Sequence, residues 1–292
     1  MSRKLNFTKN SFLVFGLGST GQSVIKFLKK KNSNYFVWDD SIKLRNKFKN
    51  KKVLNLIKSL KEVDFIVLSP GISLKKTKYR KYLIKYKKKI ITDIDLLYLS
   101  DKKFKSIVVT GTNGKSTTCK IITHLLKKNK FDVKLGGNIG TPVLNLKIKR
   151  NTFLVIEASS FQLSHSQFIH PNYALLLNVS NDHLDWHGTR QEYIKSKLKI
   201  FNLQSKKDSA LIDVKLKPIF IKKRYLSKLL SIKFNEYKKL KLRINNNYLK
   251  FTINEVNMNF VYTISKLLKI SNTAFVDSMN TFIGLPHRYE IF

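Results

Sequence analysis

One cysteine in 292 residues, Cys119, excludes an intrachain disulfide framework and fits a reducing compartment. No run of about 18 apolar residues occurs, so no membrane-spanning helix is expected. The first residues, Met1 to Phe7, lack the apolar stretch and small-residue cleavage site of a secretory leader. No internal repeat and no low-complexity linker interrupts the chain. Acids are scarce: 18 Asp and Glu stand against 57 Lys and Arg, a net charge of +39. Such an excess raises nucleic-acid binding as a reading. Against it, the lysines are spread over the whole chain and alternate with Ile, Leu, Asn and Tyr. An AT-rich coding bias enriches Lys, Asn and Ile together. The charge therefore reads as solvated surface that attracts polyanions nonspecifically at low salt. A length of 292 residues and 42% hydrophobic content predict a globular protein of two domains.

The richest stretch is Val108-Val-Thr-Gly111-Thr-Asn-Gly114-Lys115-Ser116-Thr117, set between a strand-like run and a helix-like one. Glycines before Lys-Ser at a strand-to-helix turn form a nest of backbone N–H groups. The helix N-terminus adds partial positive charge, the lysine a full one, and the hydroxyl can hold Mg²⁺. A triphosphate site follows. Its spacing is short of the commoner one, which would need Gly where Val109 stands. Cys119 falls on the following helix and is expected to be packed rather than reactive.

A second glycine turn lies earlier. Phe12 to Gly21 reads as strand, tight turn and helix start, with the next strand, Tyr35–Trp38, ending at Asp39 and Asp40. Asp39 lies 21 residues after Gly18, the offset at which an acid meets a ribose hydroxyl in a Rossmann-type unit. A helix near 43–60, a strand Asp64–Leu68, a turn at Ser69-Pro-Gly71 and a short strand near Ile90-Ile91 complete this βαβ unit. A polar break at Asp101–Lys105 precedes a second α/β unit. Its strands, Phe153–Ile156, Tyr173–Leu177 and Ala210–Asp213, are continuous apolar runs, as in a parallel sheet covered on both faces. Lys195–Leu203 reads as a helix. Residues 214–253 carry short alternating runs at Ile219, Ser231 and Tyr248 that predict small edge strands. A helix over Met258–Lys269 follows, then a last one capped by Ser271 or Asn272 and ended by Gly284. The expected fold is α/β: a Rossmann-like parallel-sheet domain, then a P-loop-type ATP-binding domain.

Glu157 and His183 each follow a strand, which puts both at the ligand-binding edge of the sheet. Mg²⁺ prefers oxygen ligands, so spacing alone does not make His183 a ligand. Lys197 is indistinguishable from its neighbours Lys195 and Lys199 as a solvated helix charge.

Taken in order, Gly111–Thr117, Gly136–Gly140, Glu157-Ala-Ser-Ser-Phe-Gln-Leu163, Asn178–His183, Tyr193–Phe201 and Gly284-Leu-Pro-His-Arg288 resemble the Mur ligases. These are ATP-dependent amide-bond ligases of peptidoglycan precursor synthesis. The resemblance covers essentially the whole chain. It implies a UDP-binding Rossmann-like domain over 1–100 and a central ATP-binding domain over 101–284. Residues 285–292 would be the stub of a linker to a third domain that the sequence, ending just after a turn, does not contain. Without that domain, full activity is not expected of this chain.

The resemblance also distributes roles. Ser19, Thr20, Asp39 and Gly71 lie near the uridine part of the substrate. Asn138 and Ser159 face its muramoyl part. Gly111, Thr112, Asn113, Gly114, Lys115, Ser116 and Thr117 hold ATP. Lys115, His183 and Lys197 are catalytic. Ser116, Glu157 and His183 organise Mg²⁺, joined by Lys197, which matches a position carbamylated in the family. A carbamate is an anionic oxygen ligand and suits a divalent cation far better than an ammonium. Asn254 and Asn257 align with a Gly-x-His-Asn-x-x-Asn pattern whose Gly and His are absent here. With Arg288 they are expected on the nucleotide. The Ser-Ser-Phe-Gln-Leu run points to the branch whose substrates are UDP-N-acetylmuramoyl-L-alanine, D-glutamate and ATP. The implied protein is a cytoplasmic monomer with no specific nucleic acid and no membrane insertion. Two other classes remain: a basic nucleic-acid-stimulated NTPase, which leaves the first glycine turn unexplained, and a nicotinamide oxidoreductase, which leaves Gly-Lys-Ser-Thr unexplained.

Overall fold

The structure, a computed structural model, describes residues 4–48, 50–233 and 236–285. The N-terminal elements are β1 (Ser11–Phe15), α1 (Ser19–Lys30), β2 (Asn34–Trp38), α2 (Ile42–Asn46), α3 (Leu56–Glu62), β3 (Phe65–Leu68), α4 (Arg80–Lys85), β4 (Ile90–Ile91) and α5 (Asp93–Leu99). Their four strands form a wholly parallel sheet in the order β2-β1-β3-β4. The order reverses at β1, so the loops after β1, β2 and β3 converge there. Phe15 pairs with both Trp38 and Leu68, and the three strands end level.

The remaining elements are β5 (Lys105–Thr110), α6 (Lys115–Lys128), β6 (Val133–Gly137), β7 (Phe153–Glu157), α7 (Ser160–His165), β8 (Tyr173–Leu176), α8 (Leu184–His187), α9 (Arg190–Leu198), β9 (Ser209–Asp213), α10 (Lys217–Lys223), β10 (Lys228–Ile232), α11 (Lys238–Lys241), α12 (Asn247–Lys250), α13 (Thr252–Leu267) and α14 (Asn272–Asn280). Their six strands form a second parallel sheet, β10-β9-β8-β5-β7-β6. Here β5 is the reversal point, with β7 on one side and β8 on the other. Ile107, Val108 and Val109 of β5 are fully buried, as befits a central strand covered on both faces. In α6 the apolar stripe Cys119, Ile121, Ile122, Leu125 and Leu126 packs inward, while Lys127 and Lys128 meet the negative end of the helix dipole. The Cys119 thiol is buried, and burial pushes its pKa well up, so it is a packed residue.

One apolar seam joins the two sheets: Val24 and Phe27 of α1, Ile94 and Leu97 of α5, Val143 and Leu144, and Ile156 of β7 share a core. Buried Asp95 adds a polar pin. Its carboxylate closes a capping box with Thr92 and accepts from Ser166 Oγ at 2.6 Å and Phe168 N at 2.7 Å in the second half. Among the described residues no helix is long and apolar enough to cross a membrane.

Several sequence expectations need correction. The run at Ile219 is in α10 and that at Tyr248 is in α12; both are helices, and among the described residues of 214–253 only Lys228–Ile232 is an edge strand, with Phe234 of the Ser231 run outside the described residues. Pro218, in the first turn of α10, pre-sets helical φ and lacks the N–H a strand would use. The expected helix over 43–60 is two short helices, each with its own side-chain cap, from Ser41 and Asn55. The long helix begins at Thr252, not Met258. The final helix, capped by Ser271, stops at Asn280 rather than Gly284. The helix expected over Lys195–Leu203 begins earlier, at Arg190, and ends at Leu198 before a 3₁₀ turn.

Candidate functional site

The turn after β5 is built as its sequence requires. Gly114 has φ +80°, and a Cβ there would run into the amide of Asn257. The Lys115 ammonium folds back over the loop, donating to the carbonyls of Gly111 (3.0 Å) and Thr112 (2.7 Å). Ser116, in the first turn of α6, donates to Glu157 Oε2 at 2.8 Å. The other oxygen, Oε1, accepts from Asn138 Nδ2 at 2.9 Å. Pairing of Val109 and Gly137 with Glu157 explains the meeting: β5, β6 and β7 end within a residue of one another, bringing together Ser116 at the start of α6, Asn138 just after β6 and Glu157 at the end of β7. A cleft of about 830 Å³ takes in the phosphate loop from Thr112 to Thr117 together with Asn138 and Glu157.

Asn254 and Asn257 close the far side of the cleft. They lie within α13, not before it, and the i,i+3 spacing puts them on one helix face. Asn254 Nδ2 donates to the Tyr248 carbonyl at 2.7 Å, and Asn257 rests against Gly114. Arg288 lies outside the described residues.

Lys197 is 1% exposed, which nothing in its sequence neighbourhood announces. Its ammonium donates to the Gly111 carbonyl at 2.7 Å, the same oxygen that holds Lys115, and sits 4.5 Å from the Tyr193 ring centroid. Burial first, and the Lys115 cation second, bring its pKa down to about 7, against the pull of Asp182. Two residues that the sequence did not single out hold the loop. Asn178 Oδ1 accepts from the backbone N–H groups of Thr112 (3.0 Å) and Asn113 (2.9 Å). The Tyr193 hydroxyl lies 3.0 Å from Thr112 Oγ1, which also accepts from Ser180 N. Asn178 follows β8 at the ligand edge, a placement a strand assignment could have flagged. Tyr193 opens the Tyr193–Phe201 motif and precedes Lys197 by one helical turn, but neither says that its hydroxyl meets Thr112.

His183 and Ser159 stand apart from the cleft. His183 takes a left-handed backbone (φ +51°) at the start of α8, pairs with Asp182 at 3.3 Å and packs its ring against Phe161. Ser159 caps α7 in a reciprocal box with Gln162. Among the described residues no three His, Cys, Asp or Glu side chains gather as a metal site would.

The other glycine turn forms a cleft of about 380 Å³ lined by Ser19, Thr20, Asp39, Gly71 and the loops around them. Gly16 has φ +101°, and a Cβ on it would meet the Ser69 side chain. Asp39 lines this cleft. Its oxygens accept from Leu17 N at 2.7 Å and Ser41 N at 2.9 Å, pinning the turn itself.

A Gly-Lys-Ser-Thr nest at the reversal point of a parallel sheet, with an acid on the serine, defines a P-loop-type α/β nucleotide-binding protein. Comparison with known proteins places it further. The family model of the Mur ligase middle domain matches residues 109–276, and that of the Mur ligase MurD-like N-terminal domain matches 10–91. The chain belongs to the Mur ligase family, whose members are ATP-dependent amide-bond ligases. The UDP-N-acetylmuramoylalanine--D-glutamate ligase of Rickettsia felis is 35% identical over 97% of this chain and 68% of its own length. The protein of that name from Aquifex aeolicus is 33% identical over 96% of this chain and 66% of its own. Among solved structures, the UDP-N-acetylmuramate:L-alanyl-gamma-D-glutamyl-meso-diaminopimelate ligase from Neisseria meningitides shares the fold at TM-score 0.56 and 13% identity. It covers 94% of this chain and 99% of that one. MurF ligase from Thermotoga maritima in complex with ADP does so at TM-score 0.52 and 18% identity, over 98% of this chain and 67% of that one.

Proposed function

We propose that this protein joins D-glutamate to UDP-N-acetylmuramoyl-L-alanine at the expense of ATP, in peptidoglycan precursor synthesis. Residues 1–100 take the UDP part, through the cleft at Ser19, Thr20, Asp39 and Gly71. Residues 101–284 take ATP, with its phosphates on the nest from Gly111 to Thr117 and its base towards Asn254, Asn257 and Arg288. Residues 286–292 lie outside the described residues. Asn138 and Ser159 serve the muramoyl part. The observation that carries the reading is the Asn138–Glu157–Ser116 chain of hydrogen bonds at the mouth of the phosphate loop. The Glu157 carboxylate and the Ser116 hydroxyl in it are hard oxygen donors matched to Mg²⁺. Mg²⁺ held there would neutralise phosphate charge; His183, outside the cleft in this structure, would join it only if the start of α8 moved inward.

The L-alanyl carboxylate attacks the γ-phosphorus, and ADP leaves with the bond to its β-phosphate oxygen. Lys115 donates hydrogen bonds to the phosphates as charge builds on them. The D-glutamate amine then attacks the acyl carbon, phosphate departs, and the amine proton passes to solvent as the amide forms. Positioning is the main contribution of the protein. Lys197, half-neutral near pH 7, can add to CO₂ and lose a proton, giving a carbamate under the phosphate loop at the Gly111 carbonyl. Function in the cytoplasm as a monomer, without specific nucleic acid or membrane partners, belongs to the same reading.

Titration calorimetry of the folded protein with UDP-N-acetylmuramoyl-L-alanine tests it. Micromolar binding, and ADP formation dependent on that precursor, are expected. Negligible precursor binding with the fold intact would overturn the assignment.

A further inference from the structure

The cations of α9 face two ways. Lys197 turns to the phosphate loop. Lys195 and Lys199, two residues to either side of it and so about 160° around the helix, line a separate cleft of about 260 Å³. The opposite wall comes from the N-terminal half: Lys75, Arg80 and Lys87. Glu192, which pairs with Lys195 at 3.6 Å, is the one acid lining it among the described residues. A neighbouring cleft of about 550 Å³ shares Lys87, His165 and Lys199 with it and adds Lys85, Lys88 and Lys89.

These cations differ from the scattered surface lysines in two ways. They converge from both halves of the molecule on one concavity. They are also anchored: Lys199 Nζ donates to the carbonyls of Ser164 (2.6 Å) and Ser166 (3.1 Å), which fixes its charge at the cleft. His165, which lines the cleft, is buried and held neutral by desolvation, with Lys199 and Lys87 adding to it. Trp186 lines the cleft, and its indole N–H is buried without a hydrogen-bond partner. Crowded like charges with an orphan donor beside them are stabilised by a compact multivalent anion.

We propose that this cleft on the back of α9 is a binding site for a small multivalent oxyanion of the phosphate class, held between Lys75, Arg80 and Lys87 on one side and Lys195 and Lys199 on the other. It is separate from both glycine-turn clefts.

The chain has two tryptophans, Trp38 and Trp186. Trp38→Phe leaves Trp186 as the sole reporter. Inorganic pyrophosphate is titrated at fixed ionic strength near 0.15 M, with ADP and Mg²⁺ saturating the phosphate loop. A saturable change in Trp186 fluorescence is expected. Lys199→Gln, or Lys87→Gln with Lys195→Gln should Lys199→Gln not fold, raises the dissociation constant about tenfold or more, the loss of a charge-assisted hydrogen bond. Lys26→Gln, exposed on α1, leaves it unchanged. No saturable signal, or equal weakening by Lys26→Gln, overturns the proposal, the latter by assigning binding to general charge.

Discussion

The turn after β1 and the turn after β5 occupy equivalent places. Each follows the strand at which its sheet reverses order, and each opens a long helix, of 12 and 14 residues. Their side chains make them opposites. The second offers a lysine and a serine, with Glu157 and Asn138 set behind the serine. The first has no cation, and an acid, Asp39, already bonded to its own backbone. Glycine at a reversal point makes a concave nest. What fills the nest is decided by the charges that adjoining strands bring to it. On the proposed reading the first turn takes part of the UDP moiety and the second the ATP phosphates.

Four experiments break or sharpen that contrast. Lys115→Ala should lower ATP turnover by on the order of 10³-fold, the scale for losing a donor aimed at developing charge. Precursor affinity, measured by calorimetry, should hold within a small factor, since the first cleft is untouched. Lys197→Ala should cost roughly 10²-fold, and the wild type should require CO₂. With Lys197 near 7, the neutral amine fraction falls with pH: at pH 6 about a tenth remains. Turnover in bicarbonate buffers should drop about tenfold from pH 8 to pH 6, and a flat profile would remove the carbamate from the scheme.

Third comes the paired glycine test. Gly16→Ala forces a Cβ into Ser69 at an unfavourable φ, and Gly114→Ala forces one into Asn257. Each should destabilise by about 1–3 kcal/mol in urea melts, and each should weaken one ligand only, the precursor for Gly16→Ala and ATP for Gly114→Ala. Loss of both ligands by either variant would mean the clefts are not independent. Smallest, Asp39→Asn should weaken precursor binding by about fivefold through a loosened turn, with ATP affinity unchanged.

Much of this was legible in the sequence because it is local. The strand–glycine–helix turns, the burial of β5, and Glu157 at a strand end all follow from short-range pattern. The Lys-rich stretch from 214 to 253 misled, since two-residue alternation over three or four positions does not distinguish an edge strand from a short helix. Lys197 was hidden because its neighbours at 195 and 199 are the same residue type, and only the packing of α9 says which of the three goes inward. Asp39 was found at the right place, but a sequence offset locates only the carboxylate and not the backbone N–H groups of Leu17 and Ser41 that also reach it. Strand ends and motifs could place Asn178 and Tyr193 near the sheet edge, but their bonds to the loop span 65 and 81 residues, so the partners themselves had no local signal.

Cys119 lies beneath the phosphate loop with its thiol buried and held protonated. The native fold is therefore silent to maleimides and similar probes. A cysteine introduced beside either cleft would carry the sole label without prior removal of a native thiol. Two such labels, one at each glycine turn, would turn the distance between the two turns into an optical signal followed during turnover.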